Sequence, residues 1–216
     1  MKLNKINTLI VTTALVSCLF LTVLSGCASA PAKETPFHIA FTSMYMNDAA
    51  ITEYTQTLTG NFPELIIDGN APLLTPIISG EVKNDLEAGV INDPMVGIAG
   101  MMKMPMLVAA GELDVVISNM ENAARDARGE MYMPLEDVFT PDEKAILGTR
   151  LLSFDLLEAD GYDFKPTGEK TPVCGIEITG NDEMRKIFGD QEIGVFIVAN
   201  TKNLELAKKF ILSLVI

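Results

Sequence analysis

Tryptophan is absent from this 216-residue chain, histidine occurs once and cysteine three times. Aromatic residues make up 6% of the whole, and 16 basic side chains face 29 acidic ones, a formal net charge of −13. Each shortage removes a class of function. Without Trp, and with few other aromatics, there is little surface for sugar rings to stack on. The single histidine, His38, rules out His-rich metal sites and leaves it as the only partner for any Cys–His pair. Three cysteines do not make a disulfide framework. The acidic excess argues against nucleic acid, which is gripped by clusters of Lys and Arg. No nucleophile elbow, glycine-rich phosphate loop or zinc-ligand spacing occurs. The adjacent acids Glu136-Asp137 and Asp142-Glu143 read as solvated or helix-starting charge. The expectation is therefore a non-enzyme with no catalytic residue, cofactor or metal site.

What is present begins with a leader. Lys2 and Lys5 precede an apolar run from Leu9 to Leu24 that holds no acidic residue, the pattern of a secretory signal. The run ends in Leu24-Ser25-Gly26-Cys27, which resembles the lipobox of bacterial lipoproteins. That resemblance implies a diacylglycerol thioether on Cys27, cleavage just before it, and a mature protein lipid-anchored to the cell membrane on its extracytoplasmic face. The competing readings are ordinary cleavage near Ala28-Ser29-Ala30 and a permanent membrane span. The run is shorter than the roughly 20 residues a span prefers, and polar residues follow at once. Loss of residues 1–26 removes two lysines and takes the formal charge to −15. Cys18 leaves with the leader, and Cys174 remains as a thiol without a partner, read as buried filler. Residues 27–36 read as a lipidated tether and 37–216 as the folded part, long enough for one compact domain or two very small lobes.

Strands and helices alternate along that folded part. Phe37 to Phe41 is a predicted strand, and a helix capped by Asp48 is expected to run to about Thr59. Glu64 to Asp68 is expected to be a second strand, ended by Gly69-Asn70. The Pro- and Gly-rich stretch from Ala71 to Gly100 resists assignment. A helix from Ile98 or Met101 to Ala110 contains Pro105 and stops at Gly111; Leu113 to Ile117 is a strand of the buried kind. Ser118 or Asn119 caps a helix through Arg128, and Thr140-Pro141-Asp142-Glu143 is a capping box. Leu151 to Leu157 fits strand or helix. Val173 to Ile178 and Ile193 to Ala199 are predicted strands around a helix near Asp182 to Phe188. Leu204 to Leu214 closes the chain as an amphipathic helix. The predicted class is α/β, a mainly parallel sheet flanked by helices.

Three segments resemble parts of the type II solute-binding proteins of ABC importers: Leu107 to Ile117, the Met133-Pro134-Leu135-Glu136-Asp137-Val138 stretch, and Ile193 to Thr201 with the helix after it. The resemblance implies a lobe of a periplasmic-binding-protein fold, a small-molecule solute as ligand, and a transporter permease as partner. The chain departs from the family between Asp155 and Val173, which is too short for a full second lobe, so one lobe is implied. Ligand contacts are then expected at the carboxyl ends of the strands, from Thr42, Ser43, Tyr45 and Asn47, from Ser118 and Asn119, and from Asn200 and Thr201. Ser118, Asn119, Thr201 and Asp48 are equally read as helix caps.

Two further function classes remain. One is a lipid-anchored protein-interaction module with no small-molecule ligand. The other is a Cu(I)-binding protein, since Met44/Met46, Met102/Met104/Met106 and Met131/Met133 alternate thioethers of the kind Cu(I) prefers. Core packing is the competing reading, with Met106 and its neighbours on a core-facing helix. The anchor is directly testable. Cys27→Ala should leave the chain unprocessed or release it, read by cell fractionation and precursor size; a normally processed, membrane-bound variant refutes the lipobox reading.

Overall fold

The computed structural model describes residues 35–80, 94–136, 138–161 and 163–215. The predicted leader, Cys27 and most of the predicted tether lie outside the described residues, as does Asp137. From Thr35 onward the chain forms one compact unit.

Strand β1 (His38–Ser43) is buried on both faces, with an apolar centre, Ile39-Ala40-Phe41, between the buried polar residues His38, Thr42 and Ser43. It feeds helix α1 (Asp48–Asn61), whose first amides at Ala49 and Ala50 are accepted by the side chain of Asn47. Asn47, one residue ahead of Asp48, is therefore the cap. The strand expected over Glu64 to Asp68 does not form. Pro63 starts a 3-10 turn, and Ile67 and Asn70 then close a tight turn through Asp68 and Gly69, both at positive φ (50° and 77°). The second strand is β2 (Leu73–Ile78). It contains Pro76, tolerated because β2 is an edge strand.

Helix α2 (Pro94–Ala109) starts earlier than the sequence suggests and carries Pro105 in its interior. Gly111, at φ 65°, ends it and turns the chain into β3 (Val115–Asn119). Helix α3 (Met120–Arg128) follows with Asn119 as its cap, and α4 (Pro141–Leu147) opens with both bonds of the expected capping box. The ambiguous stretch after it is strand β4 (Leu151–Leu152), then a hairpin of β5 (Asp155–Asp160) and β6 (Asp163–Lys170). Strand β7 (Gly175–Glu177), helix α5 (Asp182–Phe188), strand β8 (Ile193–Ile197) and helix α6 (Leu204–Val215) complete the order.

Six strands form one sheet in the order β2-β1-β3-β8-β7-β4, and the hairpin stands apart as a two-stranded ribbon. The α/β class is as predicted, but the sheet is mixed rather than mainly parallel. Parallel pairing is confined to β2, β1 and β3, while β8 on β3, β7 on β8 and β4 on β7 are antiparallel. Side chains alternate across the sheet. Phe37, Ile39, Phe41, Val115, Ile117, Val195 and Ile197 pack on one face with α1, α5 and α6. Ala40, Val116, Phe196 and Val198 pack on the other with Met104 of α2 and Ala123 and Ala127 of α3. Met104 alone of its group is buried; Met102 and Met106 are exposed, contrary to the expectation of a core-facing Met106. Alternate positions on a helix lie nearly opposite each other, so the three thioethers cannot converge.

Cys174 is buried, as expected, and burial pushes its thiol up to about 11. Among the described residues one buried side-chain oxygen lacks a partner, the Tyr54 hydroxyl, beside Phe41 in an edge-on ring contact. Tyr54→Phe removes a desolvated hydroxyl and loses no hydrogen bond. Its urea midpoint is expected to be unchanged or higher; a loss above about 1 kcal/mol would reveal a partner for that hydroxyl.

Candidate functional site

The connections around β1 set the place to look. From β1 the chain passes through α1 on one face of the sheet to β2, and from β2 through α2 on the opposite face to β3, on the far side of β1. The loops leaving β1 and β3 thus diverge to opposite faces between two parallel strands. This is the switch point at which open α/β sheets form crevices.

Six of the eight predicted residues gather at this rim. Thr42 and Ser118 are fully buried, and the Thr42 hydroxyl donates to Ser118 Oγ at 2.7 Å across the β1–β3 seam. They bind the strands to each other and present nothing outward. Ser43 Oγ donates to Gln191 Oε1 at 2.6 Å and accepts from the amide of Tyr45 at 3.3 Å. Asn119 uses Oδ1 to cap α3 and reaches with Nδ2 toward Ser43 Oγ (3.4 Å) and Gln191 Oε1 (3.3 Å). Asn47 caps α1, and its amide donates to the Ile187 carbonyl. Tyr45 is half exposed at the mouth.

Asn200 and Thr201 are not there. β8 runs antiparallel to β3, so the carboxyl end of β8 emerges at the opposite edge. At that edge the Thr201 hydroxyl donates to Asp114 Oδ1 at 2.5 Å, and Asn200 Nδ2 donates to the Val108 carbonyl at 2.6 Å. Asp114 is buried and also accepts from the His38 amide (2.9 Å) and from Asn203 Nδ2 (3.1 Å). It is a structural pin joining β1, β3 and the start of α6. His38 lies at the same edge, its ring held between the Glu112 carbonyl (2.6 Å) and Thr75 Oγ1 (2.8 Å). Burial lowers its pKa.

Sequence reasoning missed the residues that complete the rim. Gln191, just ahead of β8, arrives there because β8 is antiparallel. Its Nε2 donates to the carbonyls of Tyr45 (2.8 Å) and Phe188 (2.7 Å). Ser79, past the end of β2, takes the Arg125 guanidinium on its hydroxyl (3.2 Å) and Asn122 Nδ2 on its carbonyl (2.8 Å). Arg125 also donates to Asn122 Oδ1 at 2.9 Å and pairs with Asp126 at 2.9 Å, a carboxylate only 1% exposed. A signal existed only for the partners of Arg125: Asn119, Asn122 and Asp126 fall at i, i+3 and i+7, one polar stripe on an otherwise alanine-rich face.

No protein-family model, curated protein or solved structure matches this chain. The site therefore rests on its own chemistry. It offers hydroxyls, amides and one partly exposed guanidinium, groups suited to holding a polar solute by hydrogen bonds. Among the described residues no group of three or more His, Cys, Asp or Glu side chains is placed to hold a metal ion.

Burial pushes the Asp126 carboxyl up, with Arg125 opposing. A carboxyl raised in the folded state favours folding most in acid, and that contribution is lost as pH rises through its folded value. Arg125→Met removes the opposing cation. At neutral pH the variant should lose about 1–3 kcal/mol in urea unfolding, and the deficit should narrow as the pH is lowered and Asp126, raised by burial, takes up its proton. A deficit independent of pH would show that Arg125 acts through packing alone.

Proposed function

We propose that this chain is a lipid-anchored, extracytoplasmic solute-binding protein, a one-lobe relative of the type II binding proteins, that delivers a small solute to an ABC importer. The observation that carries this reading is the convergence of Ser43, Asn119, Arg125 and Gln191 at the β1/β3 switch point. Polar groups placed by four different segments at such a point suit ligand recognition better than strand or helix stabilisation alone. The lipobox resemblance supports the compartment. The excess of acidic side chains fits a protein that works away from nucleic acid. In this reading the protein carries out no catalytic step and needs no cofactor.

The region where a larger binding protein would insert a second lobe holds the β5–β6 hairpin. Its neck is fastened by reciprocal bonds between Phe154 and Thr171 and by Arg128 donating to the Asp155 carbonyl at 3.1 Å. β6 is exposed along its whole length and Phe164 is 72% exposed. An exposed aromatic on a projecting ribbon favours the second reading, a lipid-anchored interaction module.

Thermal shift against amino acids, sugars, oligopeptides and anions separates the two. A ligand held at 100 times its Kd should stabilise the fold by about 2.7 kcal/mol. Gln191→Ala should abolish that shift, and Asn200→Ala, at the opposite edge, should preserve it. A folded protein that no solute stabilises, yet which retains a stoichiometric non-transporter partner in a pull-down, supports the interaction module instead.

A further inference from the structure

Helix α2 breaks the usual rule for a helix on a water-soluble surface. Its inner side is closed by small residues: Gly97 sits over the Gly80 carbonyl and Gly100 over that of Ile78, with Met104 buried between sheet and helix. Its outer side should then be polar. Instead Met95, Ile98, Met102 and Met106 lie at i, i+3, i+7 and i+11, and are 65%, 48%, 63% and 68% exposed. Val96 beside them is 43% exposed. Residues 94–111 contain no acidic side chain and a single basic one, Lys103, in a molecule with 29 acids. An apolar stripe of this kind marks a surface that something covers.

Three observations choose the cover. First, the tether enters beside this helix. His38, at the start of β1, touches the carbonyl of Glu112, three residues past the end of α2. Residues 28–34 add at most roughly 3.5 Å each, so a lipid on Cys27 confines the whole domain to the neighbourhood of the bilayer. Second, charge selects the face. Anionic headgroups repel an acidic protein, and α2 itself pairs an apolar stripe with a lysine and no acid, the nearest exposed acids being Glu112 past its end and Glu121 on α3. Third, the same charge opposes a second copy, since apposing two of these molecules brings two large negative charges together. Unbranched methionines with a lysine that extends to the headgroups suit a lipid boundary.

We infer that α2 is the membrane-facing surface of the lipidated protein, its Met95-to-Met106 stripe seated in the headgroup boundary of the bilayer that holds the anchor. This rests on the lipid-anchor reading of Cys27. It deepens the proposed function by fixing orientation. α2 runs back along the sheet from the end of β2 to the start of β3, so the sheet lies along the membrane with α1, α5 and α6 outward. The β1/β3 rim then opens sideways along the surface, where a permease is reached without detachment.

The absence of tryptophan makes the test clean. Met102→Trp and Ile98→Trp place a unique indole on the stripe; Ile146→Trp, at a site 55% exposed on α4, is the control. Each full-length lipidated variant is reconstituted into phosphatidylcholine/phosphatidylglycerol vesicles with and without dibrominated phosphatidylcholine. The stripe indoles should emit at shorter wavelength than the control and be quenched about twofold or more by bromine, the control being unaffected. Protein that sediments with vesicles but shows no preferential quenching overturns the orientation and leaves the anchor standing. A blue shift without bromine quenching overturns it in favour of a protein cover, such as a second copy. Protein that does not sediment overturns the anchor and the orientation together.

Discussion

The antiparallel insertion of β8 between β3 and β7 is the constraint on which the rest of the structure depends. β8 lies in the middle of the sheet and is buried along its whole length. It supplies Val195 and Ile197 to one core and Phe196 to the other. Its direction also decides what stands at each edge. Gln191, before the strand, reaches the β1/β3 rim; Thr201 and Asn203, after it, reach Asp114 at the opposite edge. One reversed strand thus exchanges a glutamine for an asparagine and a threonine at the proposed site.

The two edges solve the same problem with different chemistry. Each must satisfy backbone and side-chain groups where several elements end. At one edge a buried carboxylate, Asp114, collects a backbone amide, a hydroxyl and an amide. At the other, neutral groups from β1, β3 and the segment before β8 are bound to one another, with the Arg125–Asp126 pair behind them. The neutral edge is the one suited to exchange of partners, because a hydroxyl or an amide can trade a protein hydrogen bond for a ligand one at little net change. The carboxylate at the opposite edge joins three elements and has no such freedom.

Much of the fold was legible in residues whose effects are local. The capping box at Thr140, the stop at Gly111, the buried strand through Val115 and the closing helix all stand where pattern reasoning places them. The misreadings share a cause. Leu-Leu-Thr-Pro-Ile-Ile looks unlike a strand because of Pro76, which only an edge position excuses, whereas Ile66-Ile67-Asp68-Gly69 looks like a strand end but is a turn with two residues at positive φ. Site residues divide the same way. Asn119 was visible as a cap and Ser43 as a strand end, but neither Gln191 nor Arg125 carries a local sign of where it lands.

By itself the sequence determined the acidic charge, the apolar run ahead of Cys27, the α/β class and most helix ends, since these follow from composition, hydrophobic period and capping within a few residues. Strand order and direction, the assembly of Ser43, Asn119, Arg125 and Gln191 at one rim, the removal of Asn200 and Thr201 to the other, and the exposed apolar stripe of α2 were decided only by the tertiary structure. The physical reason is that period and caps specify where an element begins and which side is apolar. They carry no information on which neighbour it pairs with, in which direction, or which side remains uncovered.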